Sequence, residues 1–175
     1  MINIDRINLI LVLLAALFVP LACSHAVREK LSEKEAAVYR AVIRSSQTRE
    51  IAISNEAISA FGLAKPEDFR SILPSAPNQA AIDFLEKNRN QFTIENDTDI
   101  GEGLILIASR NRTEYLSQLN RLHLVSRVGF DSGGGKAIVY CFYSCQPLCG
   151  EGGFFFLEYR DSDWIIVEES EKVKT

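Results

Sequence analysis

The sequence predicts an α+β domain, with helices first and an antiparallel β-meander last. Three observations carry this reading. A capping box opens an apolar-striped helix near residue 32, and Ser75-Ala76-Pro77 opens a second helix. After residue 124, four apolar runs follow one another, separated by turns rich in Gly and Asp. The chain has 175 residues, of which 47% are hydrophobic and 24% charged, which suits one packed domain and excludes a disordered chain. Its net charge of -4 lacks the basic surplus of a nucleic-acid binder, so no nucleic-acid partner is expected.

Residues 9–19 (LILVLLAALFV) are uninterrupted apolar residues behind a short polar start holding Asp5 and Arg6. Eleven residues suit the core of an export signal, whereas a spanning helix needs about 20. The expected division is a signal peptide over residues 1–22, a tether over 23–31 and one domain over 32–175. Three fates stay open. Leu21-Ala22-Cys23 resembles the end of a lipoprotein signal, in which Cys23 would be acylated and begin the mature chain. Ser24-His25-Ala26 offers small residues for ordinary cleavage before Val27. The segment could also remain as an uncleaved anchor. Each reading places the protein outside the cytoplasm, either membrane-anchored or periplasmic and secreted.

Ser32-Glu33-Lys34-Glu35 is the capping box, and Ala37, Val38, Ala41 and Val42 form the stripe of a helix running to about Ser45. Residues 50–54 alternate like a short strand. Pro66-Glu67-Asp68 starts a short helix to about Ile72. The helix opened by Pro77 runs to about Asn88 and buries Ala81, Phe84 and Leu85. Residues 103–108 (GLILIA) form a buried strand and residues 113–122 a helix. The meander comprises strands over 124–130, 136–144, 153–160 and 164–169, with a loop over 145–152. In the second of these strands both faces are apolar: Ala137, Val139, Cys141 and Tyr143 on one, Ile138, Tyr140 and Phe142 on the other. Helices covering both sides, rather than an exposed partner surface, are the favoured explanation.

Ser126-Arg127-Val128-Gly129-Phe130, Ala137-Ile138-Val139-Tyr140, the loop Ser144-Cys145-Gln146-Pro147-Leu148-Cys149-Gly150 and the closing Asp163-Trp164-Ile165-Ile166-Val167 form a recognisable series. On these residues the chain resembles a family of uncharacterised exported bacterial proteins. Their pattern is SRVGF, ALVYV, a Cys-Gly-x-Leu-Cys-Gly loop and a Trp-containing last strand. The resemblance covers roughly residues 124–168. Gln146 stands where that family usually has Gly, and Cys141 where Val is common. The resemblance implies fold context and an exported location, and no chemistry.

Candidate chemistry is sparse. Asp131-Ser132-Gly133-Gly134-Gly135-Lys136 superficially suggests a phosphate loop, but Ala137 replaces the needed Ser or Thr, and a strand follows instead of a helix. Cys141, Cys145 and Cys149 offer three thiols without a fourth ligand nearby, so no zinc site is expected. Cys145 and Cys149 bracket Gln146-Pro147-Leu148, which can reverse the chain and bring the sulfurs together as a disulfide in an oxidising compartment. Cys141 lies four residues back on an extended strand, ~13 Å from Cys145, and is expected as a buried small hydrophobe. His123 enters a strand between Leu122 and Leu124 with no marked partner for acid–base work. Glu151, Asp161, Asp163, Glu168, Glu169 and Glu171 read as a solvated acidic rim.

These readings lead to a non-catalytic binding or interaction module of the cell envelope, with no catalytic residue, cofactor or metal assigned. The expected recognition element is the loop carrying Ser144, Gln146, Pro147, Leu148, Gly150, Glu151 and Gly152, fixed by Cys145 and Cys149. Its partner would be an unknown envelope protein or component. The alternative is an envelope hydrolase whose acidic residues meet only in the fold. A concave site gathering carboxylates with His123 would favour that alternative.

Overall fold

The computed structural model describes residues 27–44, 51–54, 56–57, 65–95, 104–119, 121–145, 149–171 and 173–174. In chain order they form β1 (Val27–Glu29), α1 (Glu33–Arg44), β2 (Ile51–Ser54), β3 (Glu56–Ala57), a 3-10 turn (Pro66–Asp68) continuing into α2 (Phe69–Ile72), and α3 (Asn78–Lys87). Then follow β4 (Phe92–Ile94), β5 (Leu104–Ile107), α4 (Arg112–Leu119), β6 (Arg121–Val125), β7 (Gly129–Phe130), β8 (Lys136–Cys145), β9 (Cys149–Arg160), β10 (Asp163–Glu169) and β11 (Val173–Lys174). Cys23 and the export segment lie outside the described residues. No helix among those described is long and apolar enough to cross a membrane.

The main sheet runs β10-β9-β8-β6-β2-β5, with β11 adding to β9 and β7 to β8. The C-terminal part is the expected antiparallel meander, in which β6, β8, β9 and β10 are successive neighbours. The arrangement of helices followed by a separate sheet needs correction, however. β2 pairs in parallel with both β5 and β6, so strands from the first two-thirds of the chain extend the same sheet. A second, three-stranded sheet, β1-β4-β3, includes Val27–Glu29, residues expected in the tether. A two- or three-residue strand carries too little alternation to be legible, and its pairing is decided by distant partners.

Helices cover both faces of the meander. On one side Ala137, Val139, Cys141, Leu157 and Trp164 pack with Val38, Tyr39, Val42 and Ile43 of α1. On the other, Ile138, Phe154 and Phe156 pack with Phe69 and Leu73 at α2 and with Ala80, Ala81 and Phe84 of α3. Phe69, Phe84 and Phe154 meet edge-to-face at 5.4–5.8 Å, a favoured geometry for aromatic rings. This double cover explains the apolar runs on both faces of β8. A third cluster sets Tyr115 and Leu116 of α4 against Ile107 and Leu122.

Local chemistry sets the boundaries. The capping box forms as the sequence requires: Ser32 Oγ accepts the Glu35 N–H and a Glu35 carboxylate oxygen accepts the Ser32 N–H, both at 3.2 Å. The helix expected over 113–122 stops at Leu119, and Leu122 belongs to β6. The single strand expected over 124–130 is broken at Ser126, whose Oγ accepts the Tyr140 N–H at 2.9 Å in place of a main-chain carbonyl. The turn joining β9 to β10 uses Asp161 and Ser162, both at positive φ (51° and 69°), as a two-residue hairpin of type I′ requires.

Candidate functional site at the β8–β9 hairpin end

The eight-residue loop expected over 145–152 is mostly strand. β8 runs through Cys145 and β9 begins at Cys149, so only Gln146, Pro147 and Leu148, which lie outside the described residues, connect them. Ser144, Gly150, Glu151 and Gly152 are therefore ladder residues: Ser144 pairs with Gly150, Tyr143 with Glu151, and Phe142 with Gly152. The connection is narrower than expected because Gly150, Gly152 and Gly153, which resemble turn residues in the sequence, belong to β9. Packing explains Gly152 instead: a Cβ there would collide with the Tyr140 hydroxyl and crowd the Phe142 ring. The hairpin end is held on both sides, by β6 (Arg121 opposite Cys145, Leu122 opposite Ser144) and by β11 (Val173 opposite Gly152, Lys174 opposite Glu151).

Cys145 and Cys149 are direct cross-strand partners. The Tyr159 N–H donates to the Gly135 carbonyl, and Gly135/Tyr159 continues the β8–β9 register. Alternation by two from there makes Cys145/Cys149 a hydrogen-bonded pair. Such pairs have Cα atoms ~5.5 Å apart, inside the ~4.4–6.8 Å range a disulfide spans.

The register also gathers residues that lie far apart in the sequence. His123, Tyr143 and Glu151 stand opposite one another across β6, β8 and β9 on a single face, with Lys174 next in the row. His123 is 5% exposed, its ring lies 5.5 Å from that of Tyr143, and its Nδ1 lies 3.5 Å from the Cys141 Sγ. A Cys–His contact is the geometry of an activated nucleophile, but activation needs a thiolate. Here burial pushes the Cys141 thiol up to about 12, so at neutral pH sulfur stays protonated and can donate weakly to the imidazole. Cys141 is free and buried, the small hydrophobe expected. Only the pairing register could reveal this row, because residues 123, 143 and 151 share no spacing in sequence.

Apart from Glu151, the acidic residues do not converge with His123 in a described cluster. Glu168 accepts the Ser75 N–H at 3.0 Å, and Asp163 accepts the Trp164 N–H at 2.9 Å. Asp161, Asp163, Glu169 and Glu171 are exposed at or beside β10. Arg160, by hydrogen bonding, holds the Glu158 carboxyl below the usual carboxylate range, with help from Lys136. Among the described residues no group of three His, Cys, Asp or Glu side chains could hold a metal ion.

The segment Ser126-Arg127-Val128-Gly129-Phe130 joins both helical layers to the sheet. Arg127 Nε pairs with Glu35 Oε1 at 3.0 Å, with side chains only 13% and 4% exposed, and its guanidinium lies 4.3 Å from the Phe92 ring centroid. Tyr39 donates its hydroxyl to the Ser126 carbonyl at 2.8 Å, tying α1 to the sheet. Asn88 brackets Arg127 from the end of α3, accepting its N–H at 2.8 Å and donating to its carbonyl at 3.1 Å. Gly129 touches the α3 backbone so closely that a Cβ would overlap the Ala80 carbonyl and the Phe84 backbone. These residues explain a motif by architecture.

No protein-family model matches the chain, and no match was found among curated proteins or solved structures.

Proposed function

We propose that the protein is an exported or lipid-anchored, non-catalytic binding module of the cell envelope that presents the β8–β9 hairpin end to a protein or envelope component. The carrying observation is the cross-strand position of Cys145 and Cys149 at the end of a hairpin held by β6 and β11. A disulfide there would close Gln146, Pro147 and Leu148 into a small ring on a fixed base. Such a ring loses little conformational freedom on binding, which suits recognition. Support against an acid–base or nucleophilic site comes from the protonated Cys141 thiol and from the acidic residues other than Glu151 being spread at or beside β10.

Localisation follows from the apolar run at residues 9–19 and from Cys23. Since β1 begins at Val27, only Ser24, His25 and Ala26 would separate an acylated Cys23 from the folded strand. Three residues between them allow at most ~14 Å, which would seat the domain against the membrane.

The test is affinity capture from envelope extract with the full chain and with a variant carrying Gln146→Ala, Pro147→Ala and Leu148→Ala. The expected result is a component retained by the parent protein and lost by the variant at unchanged circular dichroism. Equal retention by both would reject the hairpin end as the recognition element. Hydrolysis of envelope glycans or peptides that Glu151→Gln abolishes would instead establish the hydrolase alternative.

A further inference from the structure

The three-stranded sheet sets which end of the domain the N-terminal chain enters. β1 and β4 run parallel, with Val27 beside Phe92 and Arg28 beside Thr93, so both strands start at the same end. β3 runs antiparallel to β4 and brings Ala57 to that end as well. The residues leading into β4 are Arg89, Asn90 and Gln91, which connect it to α3 and are all exposed. An acylated Cys23 lies at most ~14 Å from Val27 along the chain. The Arg89–Gln91 tip therefore stands at the end of the domain that such an anchor draws to the lipid surface.

The tip is held at both of its roots. Asn88 is buried, and its side chain donates to the Phe84 carbonyl at 2.8 Å and to the Arg127 carbonyl at 3.1 Å. It also accepts the Arg127 N–H at 2.8 Å. At the other root Phe92 is buried, with its ring 4.3 Å from the Arg127 guanidinium. A three-residue connection fixed in this way presents its side chains at little further ordering cost.

The charges at this end point to the occupant. Residues 87–94 hold Lys87 and Arg89 and no acid, and residues 24–28 hold His25 and Arg28 and no acid. Lys87 is occupied by Asp83 at 2.7 Å and by the Val128 carbonyl at 3.1 Å. Arg28 and Arg89 are exposed, and no carboxylate among the described residues pairs with either. The neighbouring acids stand back from the tip. Glu86 is exposed on the last turn of α3, Glu56 shares the row of Arg28 about 10 Å away across Thr93, and Glu29 and Glu95 lie toward the opposite end of the sheet. Anionic lipids attract Arg and Lys near their headgroups, and the long Arg side chain can extend to reach them. A three-residue tether leaves little room for a protein partner between this end and the bilayer. We infer, resting on the anchored form proposed above, that the Arg89–Gln91 tip and Arg28 form a docking face for anionic phospholipid headgroups that orients the domain on its membrane.

The experiment reconstitutes the full chain into phosphatidylcholine vesicles with and without phosphatidylglycerol. A fluorophore is placed on Asn90→Cys at the tip or, as the control, on Glu95→Cys beyond the other end of β4. Flotation reports attachment, and quenching by nitroxide-labelled lipid reports closeness to the headgroups. The Asn90→Cys label should be quenched about twofold or more strongly with phosphatidylglycerol than without it, and the Glu95→Cys label should barely distinguish the two vesicles. Arg28→Gln combined with Arg89→Gln should abolish that difference, as should high salt on the parent protein, with flotation and circular dichroism unchanged. A chain that floats but shows equal quenching at the two positions, or the same quenching in both vesicles, would reject the docking face and leave the anchor standing. A difference that survives in the double variant would also reject it. A chain that floats with neither vesicle would reject the anchor and the face together.

Discussion

Gly129 and Cys141 show how single positions are constrained in opposite ways. At Gly129 any side chain meets backbone on α3, and backbone cannot rotate aside. Gly129→Ala is expected to destabilise the protein by about 3 kcal/mol, the upper end of ordinary overpacking, measured as a lower urea midpoint with an unchanged slope. Cys141 is constrained by burial, which raises its thiol from 9.0 to about 12. Burial raises the Tyr39 hydroxyl too, aided by the Glu35 carboxylate. A raised folded-state value means that the stabilising contribution is complete below the unfolded value and is lost as pH climbs toward the folded one. Stability should therefore decline from about pH 9 toward pH 12, and Cys141→Ala should flatten that decline in urea titrations at stepped pH. Cys141 should resist alkylation in the folded state at neutral pH and react once unfolded. Ready labelling of folded protein would contradict its burial.

At the scale of elements, the docking of α1 and the closure of the β8–β9 hairpin are separable. The Glu35–Arg127 pair is nearly excluded from water. Removing one partner strands the other, so Arg127→Ala should cost about 3–5 kcal/mol. Glu35→Gln combined with Arg127→Leu should recover part of that loss, because both charges leave together. Circular dichroism and urea unfolding of the single and double variants decide between these outcomes. The hairpin end should behave differently. Closing a loop as short as Cys145 to Cys149 contributes about 2 kcal/mol on the chain-entropy view, so reduction should alter the hairpin locally without unfolding the domain. Peptide mapping without reduction should give one linked Cys145–Cys149 peptide. A Cys141–Cys149 link would require a different strand register and would reject the cross-strand pairing.

For the whole molecule, the question is attachment. Mass spectrometry of the mature protein should find an acylated N-terminal Cys23, and Cys23→Ala should move the domain to the soluble fraction with its fold unchanged. Two acyl chains hold a protein at a membrane firmly, whereas one gives only marginal binding. A mature chain starting at Val27 would reject lipidation and leave β1 at the terminus of the mature protein.

What was legible in the sequence was local. The Ser32–Glu35 box, the two Pro-opened helices and the strands over residues 136–144 and 153–160 rest on neighbours within a few residues, and they form where expected. The two-sided apolar pattern of β8 correctly implied cover on both faces, because a strand bathed on one side would not be apolar there. Pairing between distant segments was decided by the tertiary structure alone. Val27 and Phe92 each head a strand of three residues, too short for periodicity to mark, and even the strand expected over residues 50–54 gains its ladder only from partners tens of residues away. The same holds for the candidate sites. Cys145 and Cys149 could be proposed as a pair from sequence because they are four residues apart, and the register sets them opposite each other. The row of His123, Tyr143 and Glu151 and the shared end of β1 and β4 exist only once register fixes which residues stand side by side.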